Sequence, residues 1–172
     1  MIHIKKTMCV CAVILAVISR ISPVFGAFEY IGLGWPAATA NIKVLGQHPH
    51  QFVVNPALME SGLCPQISLS YQNPFQSLDL QAGSVTIYNS IWQRPYIHSL
   101  EYFGDEQYSE LKFINGTTWK LEEGFRVGVT VNYHRLAITG FNCRQGVTLS
   151  LGSYAELSDQ IKVGSVVEHA IQ

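Results

Sequence analysis

Apolar and polar residues alternate without a break over residues 125–133. Phe125, Val127, Val129, Val131 and Tyr133 are apolar, and Arg126, Gly128, Thr130 and Asn132 stand between them. A period of two predicts a β-strand with one apolar and one polar face. The run is nine residues long. A tilted strand needs about 9–11 residues to cross a bilayer, whereas strands of soluble sheets more commonly hold about 5–6. The pattern therefore predicts that Phe125, Val127, Val129, Val131 and Tyr133 face lipid. Arg126, Thr130 and Asn132 are then predicted to face a lumen.

The same period divides the rest of the chain. Ile67, Leu69 and Tyr71 alternate with Gln66, Ser68, Ser70 and Gln72, and Asn73-Pro74 ends the run. Leu78, Leu80 and Ala82 form a second alternation. Its phase shifts before Val85 and Ile87, which predicts a bulge at Gly83. Further strands are predicted over 95–103, 111–121, 125–138 with a change of phase after Tyr133, 145–157 and 161–170. Thr148, Ser150, Lys162 and Glu168 extend the lumen-facing set. Gly128, Gly152 and Gly164 fall on the same face, where small residues suit close approach of another segment. One stretch repeats. Leu121 followed by Phe125-Arg126-Val127-Gly128 returns 36 residues later as Leu157 followed by Ile161-Lys162-Val163-Gly164. Two copies of strand, tight polar turn and strand fit successive hairpins of a meander. The links at 122–124 and 158–160 are tight, and those at 104–110 and 139–144 are longer and polar. Outer-membrane barrels alternate short periplasmic turns with longer outer loops in this way.

Composition agrees. Hydrophobic residues make up 48% of the 172 and charged residues 13%, about half the usual charged share. Residues 1–26 read as a cleaved secretory signal. Lys5 and Lys6 precede the apolar run 8–18, and Val24-Phe25-Gly26 sits before Ala27. Without Lys5, Lys6 and Arg20 the chain keeps 8 basic against 12 acidic residues, a net charge of −4, which argues against nucleic acid as a partner. Cys64 and Cys143 remain. The predicted topology puts them at opposite ends of strands roughly 30 Å long, beyond the ~7 Å reach of a disulfide.

Residues 27–65 show no sustained alternation. Asn55-Pro56-Ala57-Leu58 predicts a short helix capped by Asn55, with Phe52-Val53-Val54 leading in and Gly62 at its end. Gly32-Leu33-Gly34 is half of a dinucleotide fingerprint and predicts no cofactor. His48-Pro49-His50 lacks a neighbouring Cys or carboxylate and reads as a pair of solvated turn histidines rather than a metal site. Glu122-Glu123 reads as a turn, and no serine has a nucleophile-elbow setting. The sequon Asn115-Gly116-Thr117 reads as a strand irregularity or turn. No catalytic, cofactor or metal-ligating residue is predicted, so enzyme activity is not expected.

The order of these pieces resembles a family. A signal, a segment ending in Asn55-Pro56-Ala57-Leu58, and then Ile67-Ser68-Leu69-Ser70-Tyr71 are similar to the start of FadL-like outer-membrane proteins. The hairpin Trp119-Lys120-Leu121 with Phe125-Arg126-Val127-Gly128-Val129, and the later Leu151-Gly152 with Ile161-Lys162-Val163-Gly164, are similar to the PorV/PorQ branch associated with type IX secretion. The family element carries a Gly between Ala and Leu, whereas here Ala57 meets Leu58 directly. The resemblance implies a fourteen-stranded barrel with an N-terminal plug containing Asn55, Pro56, Ala57 and Leu58. It also implies transport of hydrophobic molecules or a shuttle role for secreted proteins.

The expected fold is all-β. Residues 1–26 are a signal, 27–65 are a plug-like segment with a short helix, and 66–172 are about seven antiparallel strands of an up-and-down transmembrane barrel. Seven strands and a final Gln172 predict an open half-barrel, the N-terminal half of such a protein. The expected location is the bacterial outer membrane. The expected partners are its lipid and either hydrophobic small molecules or secreted proteins. The alternative is a secreted soluble β-sandwich whose apolar faces pack on a second sheet. Val129→Arg is expected to be costly in lipid and Thr130→Arg mild.

Overall fold

The computed structural model describes residues 48–73, 79–158 and 160–171, without the side chains of 169–171. The signal segment, Gly32-Leu33-Gly34, most of the plug-like segment and Leu78 lie outside the described residues. Seven strands follow one short helix and a 3-10 turn: α1 Pro49–Val54, the turn Pro56–Leu58, β1 Gln66–Gln72, β2 Gln81–Ile91, β3 Arg94–Gly104, β4 Tyr108–Glu122, β5 Phe125–Ile138, β6 Arg144–Ser158 and β7 Ile161–Ile171. Each strand pairs antiparallel with the next, in the order β1-β2-β3-β4-β5-β6-β7. Among the described residues the fold is therefore all-β, a seven-stranded meander that does not close. No helix among the described residues is long and apolar enough to cross a membrane.

Strands β2–β3, β4–β5 and β6–β7 are joined by residues 92–93, 123–124 and 159–160, all at one end of the sheet. The opposite end carries residues 105–107 and 139–143, and there β1 ends and β2 begins. Cys64 lies before β1 at the tight-turn end and Cys143 in the 139–143 loop. Both are free thiols, as the separation of the two ends requires.

Three local expectations fail. Gly83 holds an unbroken register, opposite Tyr71 on one side and Tyr102 on the other. The change of phase there has a simpler cause: Ala82 is an apolar residue on the face otherwise occupied by Ser84 and Thr86. Likewise β5 runs in continuous register past Tyr133 to Ile138. Leu136 simply places an apolar side chain on the other face. The bulges fall elsewhere. The register shifts between Leu149 and Leu151 in β6–β7, and beside tight turns between Lys120 and Glu122 in β4–β5 and between Glu156 and Ser158 in β6–β7. The two shifts beside tight turns are 36 residues apart, so the sequence repeat is a repeat of one bulged hairpin. Asn115-Gly116-Thr117 is regular strand within β4, neither irregularity nor turn.

The helix also begins earlier than expected. Pro49 opens α1 after His48, whose amide donates to Gln51 Oε1 at 3.2 Å. Asn55 then caps the 3-10 turn, its Oδ1 accepting from the Ala57 amide at 3.1 Å. Pro56 and Asn55 thus play the predicted parts, but in a shorter element. The turn stops at Leu58 because Met59 is already extended.

The two faces of the sheet are opposite in character. Ser84, Thr86, Ser99, Thr118, Thr130, Asn132, His134, Thr148 and Ser150 are buried on the concave face. Ile67, Leu69, Val85, Leu100, Val131, Leu151 and Val163 are exposed on the convex face. The apolar core is confined to the place where the helix and turn meet the concave wall. It holds Phe52, Val53, Ala57, Leu58, Met59, Tyr88, Ile97, Ile114 and Tyr154.

Candidate functional site

The concave wall is built from cross-strand rows. Ser68, Thr86, Ser99, Ile114, Asn132 and Thr148 are successive register partners from β1 to β6. Because side chains alternate across a strand, the small polar residue at every second position lines this face. The hydroxyls satisfy one another: Ser70 and Ser84 Oγ are 2.7 Å apart, and Thr86 Oγ1 lies 2.8 Å from Ser99 Oγ. Asn132 Nδ2 donates to Ser150 Oγ at 3.0 Å, and His134 Nε2 lies 2.9 Å from Thr148 Oγ1. Left unpaired, each of these buried groups would cost about 1–3 kcal/mol.

Residues 48–61 cross this wall as a strap. Phe52 stacks obliquely on Tyr88 with ring centroids 5.3 Å apart. The 3-10 turn sits over β4, β5 and β6, where the wall is cut away to glycine. A β-carbon on Gly128 would stand 2.6 Å from the Ala57 nitrogen and 2.6 Å from the Pro56 carbonyl carbon. One on Gly152 would collide with Asn55 Oδ1. Gly128 and Gly152 are register partners, so together they form one cradle. Polar bonds hold the turn in it. Asn55 Nδ2 donates to the Ser153 carbonyl at 3.3 Å, and Thr118 Oγ1 donates to the Pro56 carbonyl.

The downstream end of the strap is tied by charge. Arg126 Nη1 meets Glu60 Oε1 at 2.7 Å, and the guanidinium lies over the Tyr154 ring, 4.4 Å from its centroid. Tyr88 Oη donates to the Glu60 carbonyl. The Arg126 side chain is 13% exposed and that of Glu60 46%. The ion pair therefore contributes only roughly 1 kcal/mol, with the ring contact adding to it. Beside it opens a cleft of about 560 Å³ at the tight-turn end, with Arg94, Lys120, Glu123 and Glu156 on its rim and Met59 and Thr118 deeper in.

The upstream end is tied by His50, which is buried at 4% exposure rather than solvated. Its Nε2 lies 2.8 Å from Ser68 Oγ and its Nδ1 3.5 Å from Thr86 Oγ1. Burial lowers its pKa below the ordinary histidine range, and the neighbouring His48 lowers it further. The expectation of two solvated histidines thus fails for His50, because α1 turns it onto the wall.

Asn55, Pro56, Ala57 and Leu58 are all buried against the wall. Arg126, Thr130 and Asn132 share the concave face. Thr130 and Asn132 are sealed there at 1% and 3% exposure. Thr130→Arg would consequently overpack a closed site and is not the mild change expected. Lys162 lies at the exposed rim, 3.6 Å from Glu156, and takes no part in the seat. Phe125, Val127, Val129, Val131 and Tyr133 stand on the convex face, Val131 at 47% exposure and the others half-buried among neighbours. The sequence pattern passed over Glu60, Tyr88, Thr118 and Tyr154, and placed His50 in solvent. Among the described residues no three His, Cys, Asp or Glu gather as a metal site would require. Comparison with family models, with curated proteins and with solved structures returns no match.

Proposed function

We propose that the chain forms part of the wall of an outer-membrane β-barrel, with residues 48–61 as a strap on its lumenal side. One observation carries this: the sheet buries serine, threonine and asparagine and exposes isoleucine, leucine and valine. That is the reverse of a water-soluble fold and the arrangement demanded by a lipid-facing exterior. Three further features support it. Polar groups on the convex face pair locally: His98 Nδ1 with Asn115 Oδ1 at 2.6 Å, Ser153 Oγ with Ser165 Oγ at 2.7 Å, and Thr117 Oγ1 donating to the Pro95 carbonyl at 2.9 Å. Such pairing is what hydrocarbon requires of groups that water cannot reach. Exposed aromatic residues stand toward strand ends, with Tyr71 and Tyr102 near the loops, Trp119 near a tight turn and Trp92 at a turn tip. Phe113 is the exception. Turn lengths alternate between the two ends.

The barrel reading implies export through a cleaved signal and residence in the bacterial outer membrane. It leaves transport of hydrophobic molecules or an accessory, shuttle-like role in protein secretion. The hydroxyl-lined concave wall gives an apolar cargo little to bind, which weighs toward the accessory role. The soluble β-sandwich reading needs a second sheet over the apolar face. Among the described residues there is one sheet, and Ile67 and Leu69 are 70% and 72% exposed. Fractionation of cells producing the full chain tests the proposal. Recovery in the outer membrane, resistant to salt and released by detergent, is the expected result. Recovery of the folded chain in the soluble periplasm overturns it.

A further inference from the structure

The two ends of the strap are fastened by different chemistry, and only one fastening depends on an uncharged group. At the downstream end Glu60 and Arg126 attract each other as ions. At the upstream end the imidazole of His50 is enclosed by the hydroxyls of Ser68 and Thr86, with Ser99 behind them. A neutral imidazole fits this cage, giving one proton and accepting another. Hydroxyl oxygens can accept from a charged imidazole too, but they offer no counter-charge, and water is excluded. We propose that residues 48–61 are an acid-released strap: protonation of His50 frees α1 from the β1–β3 wall while the Glu60–Arg126 pair keeps the downstream end attached as a hinge. The proposal deepens the barrel-wall reading by giving it a regulated inner surface, and rests on that reading for its role.

The elements packed on α1 present few charges to offset a proton on His50. Within its own segment lies His48, which adds repulsion. On β1 the inward side chains Gln66, Ser68, Ser70 and Gln72 carry none. On β2 the inward ionisable group is Tyr88, a neutral donor to the Glu60 carbonyl. On β3 it is Glu101, whose register partner on β4 is Lys112. Following the 3-10 turn, Glu60 is engaged with Arg126. The direction of the effect follows from linkage. The docked histidine holds its proton less tightly than the released one. The docked state is therefore fully favoured above the ordinary histidine range near about pH 6.5, and is lost as pH falls below it.

Hydrogen–deuterium exchange of the folded full chain, read on peptides covering 48–61 and corrected for intrinsic rates, tests this. Exchange of 50–54 is expected to quicken about tenfold between about pH 7.5 and about pH 5.5. Peptides of β4 and β5 should not change. His50→Gln keeps a hydrogen-bonding side chain without a titrating site, and should remove the pH dependence. Ser68→Ala should loosen 50–54 at both pH values while keeping the dependence. Retention of the full pH response in His50→Gln overturns the proposal, as does a wild-type strap equally protected at both pH values. If His50→Gln fails to fold, the wild-type comparison alone decides. The readout needs only folded protein, whether recovered from membrane or from soluble fractions. Its failure is therefore separate from failure of the barrel reading.

Discussion

At Gly128 and Gly152 the absence of a side chain is what lets the strap reach the wall. Both glycines lie on the polar face of the 125–133 alternation and its neighbour, and that face was legible from the sequence as one approached closely. What approaches them was only half legible. Asn55 and Pro56 announce a cap and a first helical position, and both fill those parts, but for a 3-10 turn. His50 was not legible, because its burial depends on α1 beginning at Pro49 and on hydroxyls contributed by β1 and β2. No pattern local to His48-Pro49-His50 reports those partners. The cradle makes a sharp prediction. Gly128→Ala puts a methyl into backbone atoms of Pro56 and Ala57, which cannot swing away as a side-chain tip could. It is expected to destabilise the folded chain by about 1–3 kcal/mol in equilibrium urea unfolding. No loss of stability would mean that the strap does not sit on this wall.

At the scale of elements, the bulged hairpin is the unit the sequence repeats. Phe125-Arg126-Val127-Gly128 and Ile161-Lys162-Val163-Gly164 each follow a tight turn, and each is preceded by a bulge, at Lys120/Glu122 and at Glu156/Ser158. The repeat was visible as letters. The bulge was not, because an extra residue in a strand leaves the local alternation of Leu121 and Phe125 plausible. A false bulge at Gly83 arose from the opposite error: one alanine on a hydroxyl face imitates a change of phase. In the first copy Gly124 holds φ +75°, and a β-carbon there would stand 3.1 Å from the Glu156 carbonyl oxygen. Gly124→Val adds a β-branched side chain in the left-handed region. A stability loss of about 1–2 kcal/mol is expected by thermal or urea unfolding. A neutral result would contradict a left-handed Gly124 packed against Glu156.

At the scale of the whole molecule, the meander, its strand order and the alternation of turn lengths follow from period and punctuation, which are local properties of the chain. What period cannot state is which face closes over other residues. Here the polar face is the covered one and the apolar face the open one. The sheet leaves β1 and β7 unpaired with each other. In hydrocarbon both edges require partner strands, since unpaired backbone groups cost several kcal/mol each. The central claim is that the convex face meets lipid, and two arginine variants test it directly. Val129 points outward from β5, one step inside the Trp119–Val127 pair. Gly146 lies on the concave parity of β6, exposed, with open space where a side chain would go. Measured by equilibrium folding into phospholipid vesicles, Val129→Arg is predicted to cost about 2–4 kcal/mol and Gly146→Arg about 1 kcal/mol or less. Equal costs for the two variants, or a Val129→Arg chain that folds as well as wild type, would contradict a lipid-facing convex surface.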